Sequence, residues 1–290
     1  MNEILSYFPY EIREELAKFK LNNLEEIRIR NNRPIFLKLG QEEIKTKLIT
    51  NTQNILEILQ KICDNSIYTY QNQICEGYIT IRGGHRIGIT GNVVLNKGQV
   101  TNISHIYSLN FRIAREILNC SEVAIPYILN SNKVYNTLIV SPPGRGKTTI
   151  LRDLVRKLSD EVMLNISVVD ERGEIAAMYK GIPQNNIGNR TDVLDNIPKK
   201  IGMRMLIRSM NPKVIVADEI GTYGDVESIK YAISSGVNGI FTAHANNLED
   251  IKRNPILSSL YDLNIIERIL LINKDRKIEL LYKKEEEKCF

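Results

Sequence analysis

The chain has 290 residues, 43% hydrophobic and 25% charged, the proportions of an ordinary globular protein, so collagen, coiled coil and wholesale disorder are excluded. With 39 basic and 34 acidic side chains the formal charge is +5, which permits an anionic partner without requiring one. At roughly 150 residues per domain the length fits one large domain or two small ones. The four cysteines, Cys63, Cys75, Cys120 and Cys289, show no zinc-clip spacing, and their number is ordinary for a reducing compartment. The N-terminus lacks a basic start and a signal-like apolar stretch, and no run approaches the ~20 apolar residues of a membrane span. A cytoplasmic protein is expected, any membrane connection running through partners.

In chain order, Ile12, Leu16 and Phe19 predict a helix over 11–20. Residues 24–30 alternate apolar and charged, the pattern of a half-exposed strand. Asn31, Asn32 and Pro34 break it, and Ile35–Leu39 reads as the next strand. Asn54–Cys63 is an amphipathic helix through Ile55, Leu56, Ile58, Leu59 and Ile62. Tyr78–Arg82 and Arg86–Val94 are strands joined by the hairpin signal Gly83-Gly84, and Ser108–Ala114 alternates again. Residues 1–130 are therefore expected to form a small α+β domain, with polar Asn130-Ser131-Asn132 as its boundary. Beyond it, over 131–290, the texture changes. Thr137–Val140, Ile166–Val169, Val214–Ala217 and Gly239–Ala243 are short apolar runs separated by helix-like sequence, which predicts a parallel sheet covered by helices. Lys283–Lys288 reads as a solvated tail.

Residues 141–149 (Ser141, Pro142, Pro143, Gly144, Arg145, Gly146, Lys147, Thr148, Thr149) form a phosphate-binding loop with one departure, Ser141 standing where the pattern opens with glycine. A strand leads in and a helix over Thr148–Leu158 leads out. Gly144 and Gly146 let the backbone wrap phosphates with N–H groups, and the helix N-terminus adds positive potential. Lys147 supplies an ammonium to the terminal phosphates and Thr148 a hydroxyl to Mg²⁺. In 213–219, four apolar residues run into two acids. Asp218 is expected to serve Mg²⁺ and Glu219 to polarise water, which points to ATP hydrolysis. A third strand ends in Asp170, Glu171, Arg172 and Glu174, and a fourth at His244. All four strand ends fall on the ligand-binding edge of such a sheet. Asp170 is expected beside Mg²⁺, Glu171 and Glu174 near metal or water, and His244 as a sensor of the terminal phosphate. Arg204 and Arg208 share one helix face; their spacing alone favours a solvated or salt-bridged surface.

The segment 202–247 resembles the core of the type II/type IV secretion ATPases. It carries an arginine-bearing helix, then Asp218-Glu219-Ile220, then Asp225 and Glu227, then Thr242-Ala243-His244-Ala245-Asn246, in that family's order. Two positions depart from it: Asp218 stands where many members carry glycine, and Gly221 where they often carry arginine. Five further segments widen the likeness to nearly the whole chain: 24–34, 83–91, 111–116, 170–176 and 189–195. Together they are similar to the stage III sporulation protein AA family. The resemblance implies a RecA-like P-loop ATPase core with a smaller N-terminal domain, acting in the mother-cell cytoplasm on ATP and Mg²⁺. It further implies a homo-oligomeric ring, a hexamer in the relatives, docked on membrane-embedded sporulation channel proteins. In those relatives nucleotide lies between the N-terminal module and the core, and a neighbour can lend an arginine. Arg204 and Arg208 on the core, and Arg86, Arg112 and Arg115 on the first module, are the candidates here. Two alternatives stand beside an ATP-hydrolysing motor: a nucleotide-gated assembly scaffold with little hydrolysis, and a nucleic-acid motor. The modest charge and the lack of a basic, aromatic-interleaved groove disfavour the latter, so no nucleic-acid partner is expected.

Overall fold

The computed structural model describes residues 2–131 and 133–284. Asn132 of the predicted boundary turn, residues 285–288 of the predicted tail and Cys289 lie outside the described residues. The chain forms two compact units, Met1–Arg115 and Glu116–Phe290. The division thus falls earlier than the turn near residue 130, because residues 116–130 pack with the second unit. Ala124 and Ile128 share a core cluster with Ile139, Leu151 and Val155. Ser121 donates its backbone N–H and its hydroxyl to buried Asp153 at 2.8 and 2.7 Å.

In the first unit, six strands pair antiparallel: β1 (Leu24–Arg30), β2 (Arg33–Leu39), β3 (Glu42–Thr50), β4 (Tyr78–Thr80), β5 (Arg86–Asn96) and β6 (Gln99–Arg112). Their order is β3-β2-β1-β6-β5-β4. Alternation along the strands sends Ile27, Ile29, Ile35, Leu37, Ile87, Ile89, Leu109 and Phe111 into the core. Helices α1 (Tyr10–Ala17) and α2 (Thr52–Ile62) bury Ile12, Leu16, Ile55, Ile58 and Leu59. Phe8 packs on Phe111 with ring centroids 4.7 Å apart. The opposite face carries the charged partners of the alternation, and there Arg112 stands directly across from both Glu26 and Arg86.

In the second unit, seven strands form one sheet: β7 (Thr137–Val140), β8 (Ile166–Asp170), β9 (Thr191–Asp195), β10 (Val214–Ala217), β11 (Asn238–Ala243), β12 (Arg268–Ile272) and β13 (Ile278–Lys283). The order is β9-β8-β10-β11-β7-β12-β13, and all neighbours are parallel except the last pair. Neighbouring residues of one strand enter different clusters. Leu138, Val169, Ile215, Phe241 and Ile269 face one side, and Ile139, Val168, Val216, Ile240 and Leu270 the other. Both faces are buried, which is why these strands read as unbroken apolar runs. Helix α3 (Lys147–Asp160) covers one face. Helices α4 (Lys199–Met210) and α5 (Tyr223–Ser234) cover the other. Gly202 brings α4 onto β8, since a Cβ there would stand 2.7 Å from a Val169 methyl. Lys283, read as tail, is the last residue of β13. Among the described residues no helix is long and apolar enough to cross a membrane.

Candidate active site

Strand β7 ends at Val140, and the chain turns through 141–146 into α3. Gly144 and Gly146 adopt φ of +73° and +94°, and a Cβ at either would meet nothing within 4 Å. Backbone direction rather than space therefore requires glycine there. A left-handed residue between right-handed ones lets successive N–H groups converge on an anion, and the start of α3 adds its dipole. Ser141 is fully buried, and its side chain is used: Lys147 Nζ donates to its carbonyl at 3.1 Å and its hydroxyl at 3.2 Å. Lys147 also reaches the Pro142 carbonyl at 3.4 Å and His244 Nδ1 at 3.0 Å. Burial pushes its pKa below 10.5, against the pull of Asp218 and Glu219. Pro143 and Gly144 form the exposed tip, Arg145 donates to the Lys274 carbonyl at 3.4 Å, and the Thr149 carbonyl accepts from the Cys120 thiol at 3.6 Å.

Strand β11 lies between β7 and β10, so its carboxyl end bridges the loop and the acidic pair. Thr148 Oγ1 donates to Asp218 Oδ2 at 2.5 Å, while Thr242 donates its hydroxyl to Asp218 Oδ1. The same Thr242 oxygen accepts the Glu219 N–H at 2.8 Å, and the Thr242 carbonyl accepts the Ile220 N–H at 2.7 Å. These bonds hold Glu219 at φ +56°, a left-handed conformation that a residue with a side chain keeps only when its surroundings enforce it. The Glu219 carboxylate meets Arg172 through Oε2 and faces His244 Nε2 at 3.5 Å through Oε1. Because an ammonium can only donate, Lys147 makes His244 Nδ1 the acceptor and leaves the proton on Nε2, toward Glu219.

At the β8 end the structure shows how Asp170 is held. Asp170 is 2% exposed, and both its oxygens are taken by backbone donors: the N–H of Glu174, Ile175 and Ala176 at 2.8–3.2 Å. Burial raises its pKa, opposed by those same bonds. These bonds make it a clamp on the 171–177 loop. Arg152 of α3 braces the same loop through the carbonyls of Glu174 and Ile175, at 2.8 and 3.1 Å. Glu171 pairs with Lys199 at the start of α4. Together with Arg172, Glu174, Asp218 and Glu219 these residues line a small cavity beside the loop. Arg204 and Arg208 lie on the exposed side of α4, against Tyr231 of α5. The Arg204 guanidinium is 5.7 Å from that ring's centroid, and Arg208 Nε is 3.5 Å from its hydroxyl. In the first unit, Arg86 stacks 3.8 Å from the Tyr78 ring centroid, Arg112 is exposed, and Arg115 donates to the Leu24 carbonyl at 3.2 Å. Sequence reasoning left Thr242, Arg172 and Lys199 without a site role. Thr242 carried a signal as a hydroxyl at the end of an apolar strand beside His244, and Arg172 as a member of the strand end at the ligand-binding edge.

The donors suit Mg²⁺ with a nucleotide. A hydroxyl and one carboxylate are hard oxygens, and this ion is commonly held by one or two carboxylates plus phosphates. Among the described residues no group of three or more His, Cys, Asp or Glu could cage a metal alone.

Residues 1–288 match the family model for sporulation stage III, protein AA. The chain is 38% identical to stage III sporulation protein AA of Bacillus subtilis (strain 168) over 281 residues, covering 94% of this chain and 91% of that one. The chain belongs to the sporulation stage III protein AA family. A more distant relative is the uncharacterized protein ycf45 of Porphyra purpurea, 25% identical over 90% of this chain but only 43% of its own length. Among solved structures, the pilus retraction motor PilT with bound ADP superposes with a TM-score of 0.62 at 14% identity, covering 95% of this chain and 82% of PilT. The Legionella pneumophila ATPase DotB gives 0.60 at 16% identity, covering 94% and 80%. This sporulation protein therefore shares the fold of these two structures, with a mixed, mainly parallel sheet in its second unit.

Proposed function

We propose that this family member is a Mg²⁺-dependent ATPase, working as a homo-oligomeric ring that powers or assembles a channel between mother cell and forespore. The observation that carries the reading is the bonded series Thr148–Asp218–Thr242–Glu219, which ties the phosphate loop to an acid fixed beside it. Lys147 and the N–H groups of 144–148 bind and orient the phosphates. Thr148 and Asp218 would hold the metal, which would supply neutralisation of charge on the phosphate oxygens. Glu219 orients water and takes its proton, a role worth typically 10²–10⁴ in rate. His244 reports the terminal phosphate to Glu219 through its two ring nitrogens.

The transition state still needs an arginine, worth roughly 10³–10⁵ in related phosphoryl transfers. Arg112 is the best candidate, an exposed side chain on a sheet face where Glu26 and Arg86 stand directly opposite it, whereas Arg86 stacks on the Tyr78 ring. Arg204 and Arg208 are engaged with Tyr231. A ring in which the first unit of one copy serves a neighbour fits this division of labour, with membrane-embedded channel proteins as the docking partners and the mother-cell cytoplasm as the site of action.

Phosphate release by the purified chain, measured over a range of protein concentration, tests the reading. Turnover per chain is expected to rise with concentration and to collapse in Lys147→Ala and in Arg112→Ala. A turnover per chain that is constant with concentration and untouched by Arg112→Ala contradicts the shared site.

A further inference from the structure

Arg172 meets the proposed base on the side away from His244, through the other carboxylate oxygen. It sits on the 171–177 loop, whose shape is set by two anchors, the Asp170 carboxylate on three successive N–H groups and Arg152 on two carbonyls. The loop is therefore a rigid mount, and the guanidinium it carries meets Glu219 Oε2. On the other side Glu219 is fixed by its left-handed backbone and by Thr242. Neither end of the pair is on a wandering segment, so the contact is a built one. Arg172 itself is well exposed, at 61% of its side chain, and Glu219 is at 33%. A pair so placed is weak enough to open when a competing anion arrives.

Resting on the ATPase reading, we propose that Arg172 is a positioning residue that latches Glu219 in the empty site and gives it up when a terminal phosphate draws the guanidinium across. The exchange needs no new atoms and no redox step. One anion, the carboxylate, is replaced on the guanidinium by another, the phosphate, for which the planar fork is equally suited. Released, Glu219 is left to His244 and to water, so the base becomes available only when a triphosphate is present. ADP lacks the terminal group and leaves the latch closed.

The latch has a signature in binding alone. Glu219→Gln removes the carboxylate that competes with a terminal phosphate for the guanidinium, so a non-hydrolysable ATP analogue binds more tightly by roughly two- to fivefold, the worth of an exposed ion pair. The gain disappears when Arg172→Ala is added, and ADP affinity changes in neither variant. Arg172→Lys, which keeps charge but not the fork, is expected to discriminate triphosphate from diphosphate less than wild type and more than Arg172→Ala. The full-length chain and its variants are titrated with fluorescent ADP and with the ATP analogue at equilibrium. Tightening by Glu219→Gln that persists undiminished in Arg172→Ala/Glu219→Gln reduces the effect to bulk charge repulsion and overturns the latch while sparing the ATPase reading. Absence of nucleotide binding by the wild-type chain overturns that reading and the latch with it.

Discussion

Thr242→Val is the most informative single substitution in the second unit. The side chain is fully buried, and valine keeps its shape while deleting one oxygen that serves two bonds, to the Glu219 N–H and the Asp218 carboxylate. The neutral bond is worth about 0.5–1.5 kcal/mol and the one to a charged group about 1.5–3 kcal/mol. Release of Glu219 from its left-handed conformation returns on the order of 1 kcal/mol. The net loss is about 1–3 kcal/mol, readable as a lower urea midpoint at unchanged m-value. In activity the change removes the bond that aims Glu219 and the one that holds Asp218, so the turnover number falls by roughly 10² while nucleotide is still bound. Thr242→Ser keeps the oxygen and is expected to retain stability and turnover. If Thr242→Val unfolds at the wild-type midpoint and hydrolyses ATP at the wild-type rate, the bonded series is not what organises the site.

Two further predictions concern titration. Lys147 is held below its ordinary 10.5 by burial, so on raising pH it loses its charge sooner than a free lysine. ATP affinity should weaken on the alkaline side below 10.5, whereas Lys147→Arg stays flat there; a wild-type affinity that is flat to that pH contradicts the assignment. Asp170 is raised above 3.8 by burial, so the folded state holds its proton more tightly than the unfolded one. Stability should then fall as pH rises from 3.8 toward the raised value. Asp170→Asn should lack that slope in urea titrations across the acid range, and an equal slope in the two proteins refutes the buried clamp.

The legible parts of the fold were those with a period. Thr137–Val140 and Val214–Ala217 were predicted to the residue, because a strand buried on both faces is an unbroken apolar run bounded by polar turns. Strand β3 and strand β9 were missed for the opposite reason. Their alternation is crowded with charge and hydroxyls, with only Thr46 and Thr50 buried along β3 and no residue fully buried along β9. The hairpin of β12 and β13 was hidden because its second strand is an edge that faces solvent. At the site, glycine, lysine and the paired acids carried their own signal, being residue types that phosphate chemistry demands at fixed spacing. Asp170 carried the same signal, and in the structure its carboxylate is held by three backbone N–H groups. A carboxylate at a strand end binds a metal or three backbone N–H groups equally well, and only the turn of the following loop decides. Arg172 stood in the sequence only as a member of a strand end on the ligand-binding edge; its pairing with Glu219 was hidden because that partner lies 47 positions away, on a different strand end.

The central claim is that Glu219 performs hydrolysis at a site that Lys147 and Thr148 fill with nucleotide. It is tested most directly by a single turnover of pre-bound, γ-labelled Mg-ATP in wild type and Glu219→Gln, at a concentration where the chain assembles. The account predicts that both proteins retain the label on binding, and that only wild type releases labelled phosphate. Equal release from the two proteins, or no retention by either, would contradict it.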